Sequence, residues 1–266
     1  MAATNGIQLV SRDRLDWPSE LKPLSPQTVR SIRRTRRHPR PIQFDYLHLR
    51  YLTTDLENVL RGIRPPPKDV LDIYCGTRPY EDFLPSTARC VGLDVEGNPY
   101  GVADVVSNEF LPFPDQSFDL VTCIQSFQFV VDPAHGASEI RRVLRPGGTV
   151  VITVTHVWEY DRTVLEHRFS GPELAHLLRD WDGIEVRENG GRVVTWVSVT
   201  TSGLRAIEDR LVQSHEVLRL ARLPFAGVYL TLNGLGVLLA GLDRKAQVGP
   251  LTLPTNLLVT ARKPLG

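Results

Sequence analysis

Two aspartates stand where an apolar run meets a polar loop. Asp72 closes Val70-Leu71-Asp72 ahead of Ile73-Tyr74-Cys75-Gly76-Thr77-Arg78-Pro79, and Asp94 closes Val91-Gly92-Leu93-Asp94. A carboxylate on the second run, eighteen residues beyond the loop glycine Gly76, is placed to accept both hydroxyls of a ribose. The chemistry implied is nucleoside binding. A dinucleotide is disfavoured, because its pyrophosphate needs several glycines for close backbone approach and only Gly76 is in place.

Such residues need a sheet to hold them. Asp69–Ile73, Arg89–Asp94, Gly101–Val106, Phe118–Ile124 and Thr149–Thr155 are short runs rich in Val, Ile and Leu, the pattern of parallel strands buried on both faces. From Asp45, Leu47, Tyr51, Leu52, Leu56, Val59, Leu60 and Ile63 recur at helical spacing until Pro65-Pro66-Pro67. Asp132–Leu144 reads as a helix stopped by Arg145-Pro146-Gly147-Gly148, and Ser170-Gly171-Pro172-Glu173 opens another with a capping box. Ile184–Val186 and Asn256–Ala261 read as two last strands. The alternation predicts an α/β fold: a doubly wound, Rossmann-like sheet of about seven strands, the last antiparallel.

Between those last strands some seventy residues intervene, far more than a hairpin needs. Leu204, Ile207, Leu211 and Leu218 mark an amphipathic helix, and residues 223–242 carry no charge. That run reads as a helix packed on the core or roofing a pocket, as an interfacial helix facing lipid, or as a span; Pro224, four glycines and Asn233 weigh against the last. The expected organisation is an arm and helix over 1–64, a nucleoside-binding core over 65–189, a helical insertion or lid over 190–255 and a final strand over 256–266. Residues 1–43 show little apolar period and read as a loose arm, with an acid-free run of Arg30, Arg33, Arg34, Arg36, Arg37, His38 and Arg40.

At 266 residues, 42% hydrophobic and 23% charged, the chain has the composition of a globular protein with a real core. A net charge of +1 gives no global attraction to nucleic acid or anionic membrane. Cys75, Cys90 and Cys123 have no metal or disulfide spacing, which argues for a reducing compartment and no metal. The first residues offer no signal-peptide core, so a cytoplasmic location is expected, with a membrane-peripheral one as the alternative.

Four segments, in this order, resemble the class I S-adenosylmethionine (SAM)-dependent methyltransferases, in particular the type 11 methyltransferase domain, over roughly 68–188. They are Val70-Leu71-Asp72 through Cys75-Gly76-Thr77; Val91-Gly92-Leu93-Asp94; Leu111-Pro112-Phe113-Pro114-Asp115 through Ser117-Phe118-Asp119-Leu120-Val121; and Glu139-Ile140-Arg141-Arg142-Val143-Leu144-Arg145-Pro146-Gly147-Gly148. The resemblance implies SAM as cofactor, S-adenosylhomocysteine as product, and a methyl acceptor that is a small molecule, a glycan or lipid-linked. It implies that Asp72 begins the SAM loop, Gly76 admits the methionine part and Asp94 holds the ribose. Asp104, or else Asn108, bonds the adenine amino group, Gln125 lines the cleft, and Phe110 or Leu111 packs on the adenine.

Two family glycines are replaced, by Tyr74 and Arg78. Tyr74 narrows the loop beside the methionine tail, and Arg78 could pair with the cofactor carboxylate. The Glu-His pair found after the fourth strand in many relatives corresponds to Gln128 and Phe129, neither a base. For an oxygen acceptor, His156 just past the fifth strand is the first candidate base, with His167 and Glu159 behind it. A catalytically silent binding or scaffold protein with an altered SAM loop is the alternative.

Overall fold

The computed structural model describes residues 22–107, 111–161, 164–214, 222–246 and 251–265. Its core is one seven-stranded sheet: β1 (Asp69–Ile73), β2 (Arg89–Asp94), β3 (Val105–Val106), β4 (Phe118–Ile124), β5 (Leu144–Thr155), β6 (Asp182–Asn189) and β7 (Asn256–Arg262), in the order β3-β2-β1-β4-β5-β7-β6. The first five strands run parallel; β7 lies antiparallel between β5 and β6. Val70, Leu71 and Ile73 of β1 and Leu120, Val121 and Cys123 of β4 are all fully buried, as their unbroken apolar run demands. From β1 the chain moves out to β2 and β3, then returns to β4 on the other side. The order therefore reverses between β1 and β4, and a crevice opens above their carboxyl ends.

The helices cover both faces. α2 (Tyr46–Gly62) buries Leu47, Leu49, Leu52, Leu56 and Leu60. α3 (Pro133–Val143) starts on Asp132, whose Oδ1 accepts from the Ala134 and His135 amides at 3.0 Å. α4 (Gly171–Leu177) begins with the capping box read in the sequence, Ser170 and Glu173 bonding reciprocally at 3.3 Å.

Part of the loosely read arm is ordered as α1 (Pro26–Arg37), capped by Ser25, whose Oγ accepts from the Thr28 amide at 3.2 Å. Only Val29 of this helix is buried, so it has almost no apolar period to detect. Ion pairs hold it instead: Arg33 reaches Asp82 at 3.0 Å and Glu81 at 3.4 Å, and Arg37 also binds Asp82. Thr53 Oγ1 of α2 donates to the Arg36 carbonyl at 3.1 Å. The arginine run is thus largely spent within the molecule.

The insertion between β6 and β7 is a pair of packed helices, α5 (Arg192–Ser214) and α6 (Arg222–Ala246). Tyr46 and Leu47 of α2 pack with Val194 and Val197 of α5 and Ala240 of α6. Contact is so close that a Cβ at Gly236 would stand 2.5 Å from Leu47 Cδ1. Thr201 Oγ1 donates to the Phe44 carbonyl at 2.6 Å, and Asn233 Nδ2 donates to the Pro41 and Gln43 carbonyls at 2.8 Å. The hairpin therefore grips the turn that links α1 to α2.

Candidate functional site

A cleft open to solvent lies over the carboxyl ends of β1, β2 and β4. Asp72, Tyr74, Gly76, Thr77, Asp94 and Gln125 wall its floor, and Arg36, Tyr80, Tyr100 and Phe129 stand around them. Five of the expected cofactor residues thus meet in one place. Arg36 is an addition that the sequence pattern did not suggest, since it comes from α1.

The loop after β1 has an unusual backbone. Tyr74, Gly76 and Arg78 alternate with cysteine and threonine, and all three have φ of 53°. For glycine this costs nothing; for a tyrosine and an arginine it costs about 1–3 kcal/mol each. Side-chain anchoring offsets the strain. Tyr74 packs against the main core, and Arg78 bonds Asp104 at 2.7 Å, Glu81 at 3.1 Å and the Cys90 carbonyl at 2.9 Å. Gly92 lets the loop sit low on β2: a Cβ there would meet Cys75 Sγ at 2.9 Å.

Asp94 ties this loop to β2. Its Oδ2 accepts from the Gly76 amide at 2.8 Å and weakly from the Cys75 thiol at 4.0 Å, and its Oδ1 accepts from the Val95 amide at 2.9 Å, which leaves Oδ1 with a further lone-pair site for a ligand hydroxyl. The side chain of Thr77 is buried at the cleft wall with a hydroxyl that has no hydrogen-bond partner. A carboxylate with acceptor capacity to spare and an orphaned hydroxyl fit a polar nucleoside ligand.

Several expectations change. Arg78 does not wall the cleft; its guanidinium is committed to Asp104 and Glu81, so it is not poised for a cofactor carboxylate. Asp104 is drawn the same way, with Oδ2 taken by Arg78 and by the Gly92 amide at 2.8 Å, and it is not among the cleft residues. Asn108 and Phe110 lie outside the described residues. Gln125 is at the cleft, held by Thr153 Oγ1 at 3.2 Å and by the Thr155 hydroxyl at 2.8 Å. No described residue of 190–255 walls the cleft, because the hairpin's apolar inner face is taken up by α2.

None of the three candidate bases walls it either. His156 is half-buried beside the end of β5, with Nδ1 2.8 Å from the Phe169 carbonyl. His167 stacks on Phe169 at 5.7 Å, and its Nε2 is buried without a partner. Glu159 is exposed, and its carbonyl accepts from Arg168 at 3.1 Å.

Two buried titrating groups, Asp72 at the cleft and His48 on α2, oppose each other. Burial pushes Asp72 up to about 6, against the Thr122 hydroxyl at 2.8 Å and the Arg78 charge. Burial, helped by the Arg36 charge, pushes His48 down to about 4; its ring lies 4.6 Å from that of Trp158. The unfolded chain protonates His48 below 6.5 and the fold only near 4, so acid costs stability over that range, about 3 kcal/mol at the end of it. Asp72 has the reverse sign. The fold protonates it below about 6 and the unfolded chain only below 3.8, so its contribution of about 3 kcal/mol is present in acid and lost as pH rises through 6. Denaturant titrations from pH 7 to 4.5 should therefore show His48→Gln gaining stability relative to Asp72→Asn as pH falls. Parallel pH dependences would refute the assignment.

Residues 71–152 match the family described as methyltransferase domain. That segment is similar to the methyltransferase domain that the sequence motifs resemble. The chain is 44% identical over 102 residues to the ubiquinone/menaquinone biosynthesis C-methyltransferase of Geobacter sulfurreducens, covering 31% of this chain and 40% of that one. It is 36% identical over 115 residues to the malonyl-[acyl-carrier protein] O-methyltransferase of Methylococcus capsulatus, covering 36% of this chain and 42% of the relative. The matched stretch spans less than half of either relative. Among solved structures, the [4+2]-cyclase SpnF aligns with a TM-score of 0.53 at 19% identity over 83% of each chain. A possible histamine N-methyltransferase from Thermotoga maritima aligns at 0.50 and 14% identity, over 89% of this chain and 97% of that one. Those likenesses extend the methyltransferase-domain fold beyond the matched segment, to most of the chain.

Proposed function

We propose that the protein is a SAM-dependent methyltransferase that moves a methyl group to an oxygen of a small-molecule, glycan or lipid-linked acceptor. The observation that supports this most is the backbone of the 74–78 loop. Tyr74 and Arg78 keep a left-handed conformation that costs strain, while Asp94 stays bonded to Gly76. Strain of this kind persists where the surroundings enforce it for a purpose, and a loop drifting away from ligand binding would relax to ordinary φ.

SAM supplies an activated methyl, so the protein's share of the work is alignment. Asp94 takes the ribose hydroxyls, Gly76 and Thr77 border the tail, and Gln125 closes the floor. Arg36 pairs with the carboxylate of the tail, the role that Arg78 cannot fill. Arg36→Ala is expected to weaken SAM binding about tenfold, the worth of one charge-assisted pair at a partly exposed site. Calorimetry checks this, and an unchanged affinity would remove Arg36 from the site. The three cysteines are free, which supports a reducing, cytoplasmic setting; nucleic acid is not favoured as acceptor.

The deciding experiment is incubation with methyl-labelled SAM and a cell extract, followed by isolation of labelled product. The carbon shift of the labelled methyl separates an O-methyl from a C-methyl. A second reading, a silent scaffold, is favoured by the commitment of Arg78 to Asp104. No heat on titration with SAM up to millimolar concentration would support that reading and overturn the first.

A further inference from the structure

The outward side of the α5–α6 hairpin is apolar where a water-facing helix pair would be charged. On α5 the exposed positions recur at helical spacing, Trp196, Val199, Gly203, Ile207 and Leu211. On α6 Leu235, Leu238 and Leu242 continue the surface, with Leu238 75% and Trp196 65% exposed. The segment Arg222–Leu242 has a mean hydropathy of 1.7 and is only 22% buried. Two helices of this length present a patch of roughly 30 by 20 Å. Water-exposed apolar patches on monomers rarely exceed a few hundred Å².

Charge points to the occupant. Arg192 and Arg210 lie on the same exposed stripe of α5, and Arg222 is exposed where α6 begins. Among the described residues this face has no exposed carboxylate: Glu208 is buried against Tyr229, and half-buried Asp209 pairs with Arg205. A rim of arginines with an exposed tryptophan around an apolar centre matches the headgroup layer of an anionic bilayer. A span is excluded by the inner side, where Asn233 and Thr201 are bonded to the 41–44 turn and Gly236 is pressed on Leu47. Leaving the domain to cross a membrane would break all of these.

We propose that the outward face of the α5–α6 hairpin seats the protein on an anionic membrane, with both helices lying in the interfacial layer. This goes beyond the reading of the cleft and does not depend on it.

Flotation with vesicles tests it. The full chain is expected to float with phosphatidylcholine vesicles containing phosphatidylglycerol, at least tenfold less with phosphatidylcholine alone, and less as salt is raised. The Leu238→Asp/Leu242→Asp variant should lose at least tenfold in vesicle affinity while its melting temperature and SAM calorimetry stay at the parent's. Should that variant melt early, Arg210→Ala/Arg222→Ala carries the test, with loss expected on anionic vesicles. Three results would overturn the proposal: no flotation with anionic vesicles, flotation indifferent to both variants, or a dimer in sedimentation velocity that the leucine variant dissolves without any vesicle binding. The last would assign the face to a second copy of the chain. SAM calorimetry is read separately, so failure of the cleft assignment and failure of this one remain distinguishable.

Discussion

Asp94→Ala is expected to weaken SAM binding about thirty- to a thousandfold. Two charge-assisted hydrogen bonds to ribose hydroxyls, worth about 2–4 kcal/mol together, go with the carboxylate. The structure adds a consequence that the sequence alone did not suggest. Because Asp94 also accepts from the Gly76 and Val95 amides, its loss leaves two backbone donors without their partner, and the fold should weaken by about 1–3 kcal/mol. Asp94→Asn separates the two effects. It keeps one acceptor oxygen for the loop but loses the charge and half of the acceptor capacity, so affinity should drop while the melting temperature stays nearer the parent's. Calorimetry and thermal melting of both variants check this, and full affinity in Asp94→Ala would place the ribose elsewhere.

The parts of this protein that were legible in the sequence are those whose signal is periodic or local. The strand runs, the helix from Asp45, and the Ser170–Glu173 box follow from period and capping chemistry, and the last strand was expected to join the sheet antiparallel. What escaped has no period. α1 buries one side chain and is held by arginines that find Glu81 and Asp82 nearly fifty residues away. Arg78 was read toward the cofactor because it replaces a glycine of the loop with a charged donor, whereas its partner Asp104 is twenty-six residues distant. His48 drew no reading from the sequence, since one polar residue beside Leu47 and Leu49 carries no period of its own, and only the fold shows it buried beside Asn256 and Trp158. The uncharged run of 223–242 was ambiguous for a different reason: apolar residues occupy both sides of α6, so pattern alone could not say which side meets α2.

Fold likeness does not fix chemistry here. One solved protein that shares this architecture over most of its length is a cyclase, so the sheet order is compatible with more than one reaction. The site has to carry the argument. In this chain it does so through the strained loop and Asp94, which speak for the nucleoside, while the acceptor's chemistry rests on what surrounds the far side of the cleft.

The candidate base stands just past β5, outside the cleft lining, and it makes the sharpest claim: His156→Gln is expected to lower turnover by about two to four decades and leave SAM affinity unchanged. The Phe169 carbonyl can only accept, so Nδ1 at 2.8 Å must donate to it, and this fixes the neutral tautomer whose Nε2 keeps its lone pair for a proton. The residue before it, Thr155, donates at 2.8 Å to Gln125, which walls the cleft. An acceptor hydroxyl seated beyond Gln125 would therefore approach the same strand end that carries the imidazole. The two rivals are worse placed: His167 has its Nε2 buried, and Glu159 faces solvent. Glutamine cannot take up the proton, whereas His156→Gly with added imidazole should recover part of the lost rate, which a merely structural role would not allow. Unchanged turnover in His156→Gln would pass the role to His167 or Glu159, or point to an acceptor acidic enough to need no base.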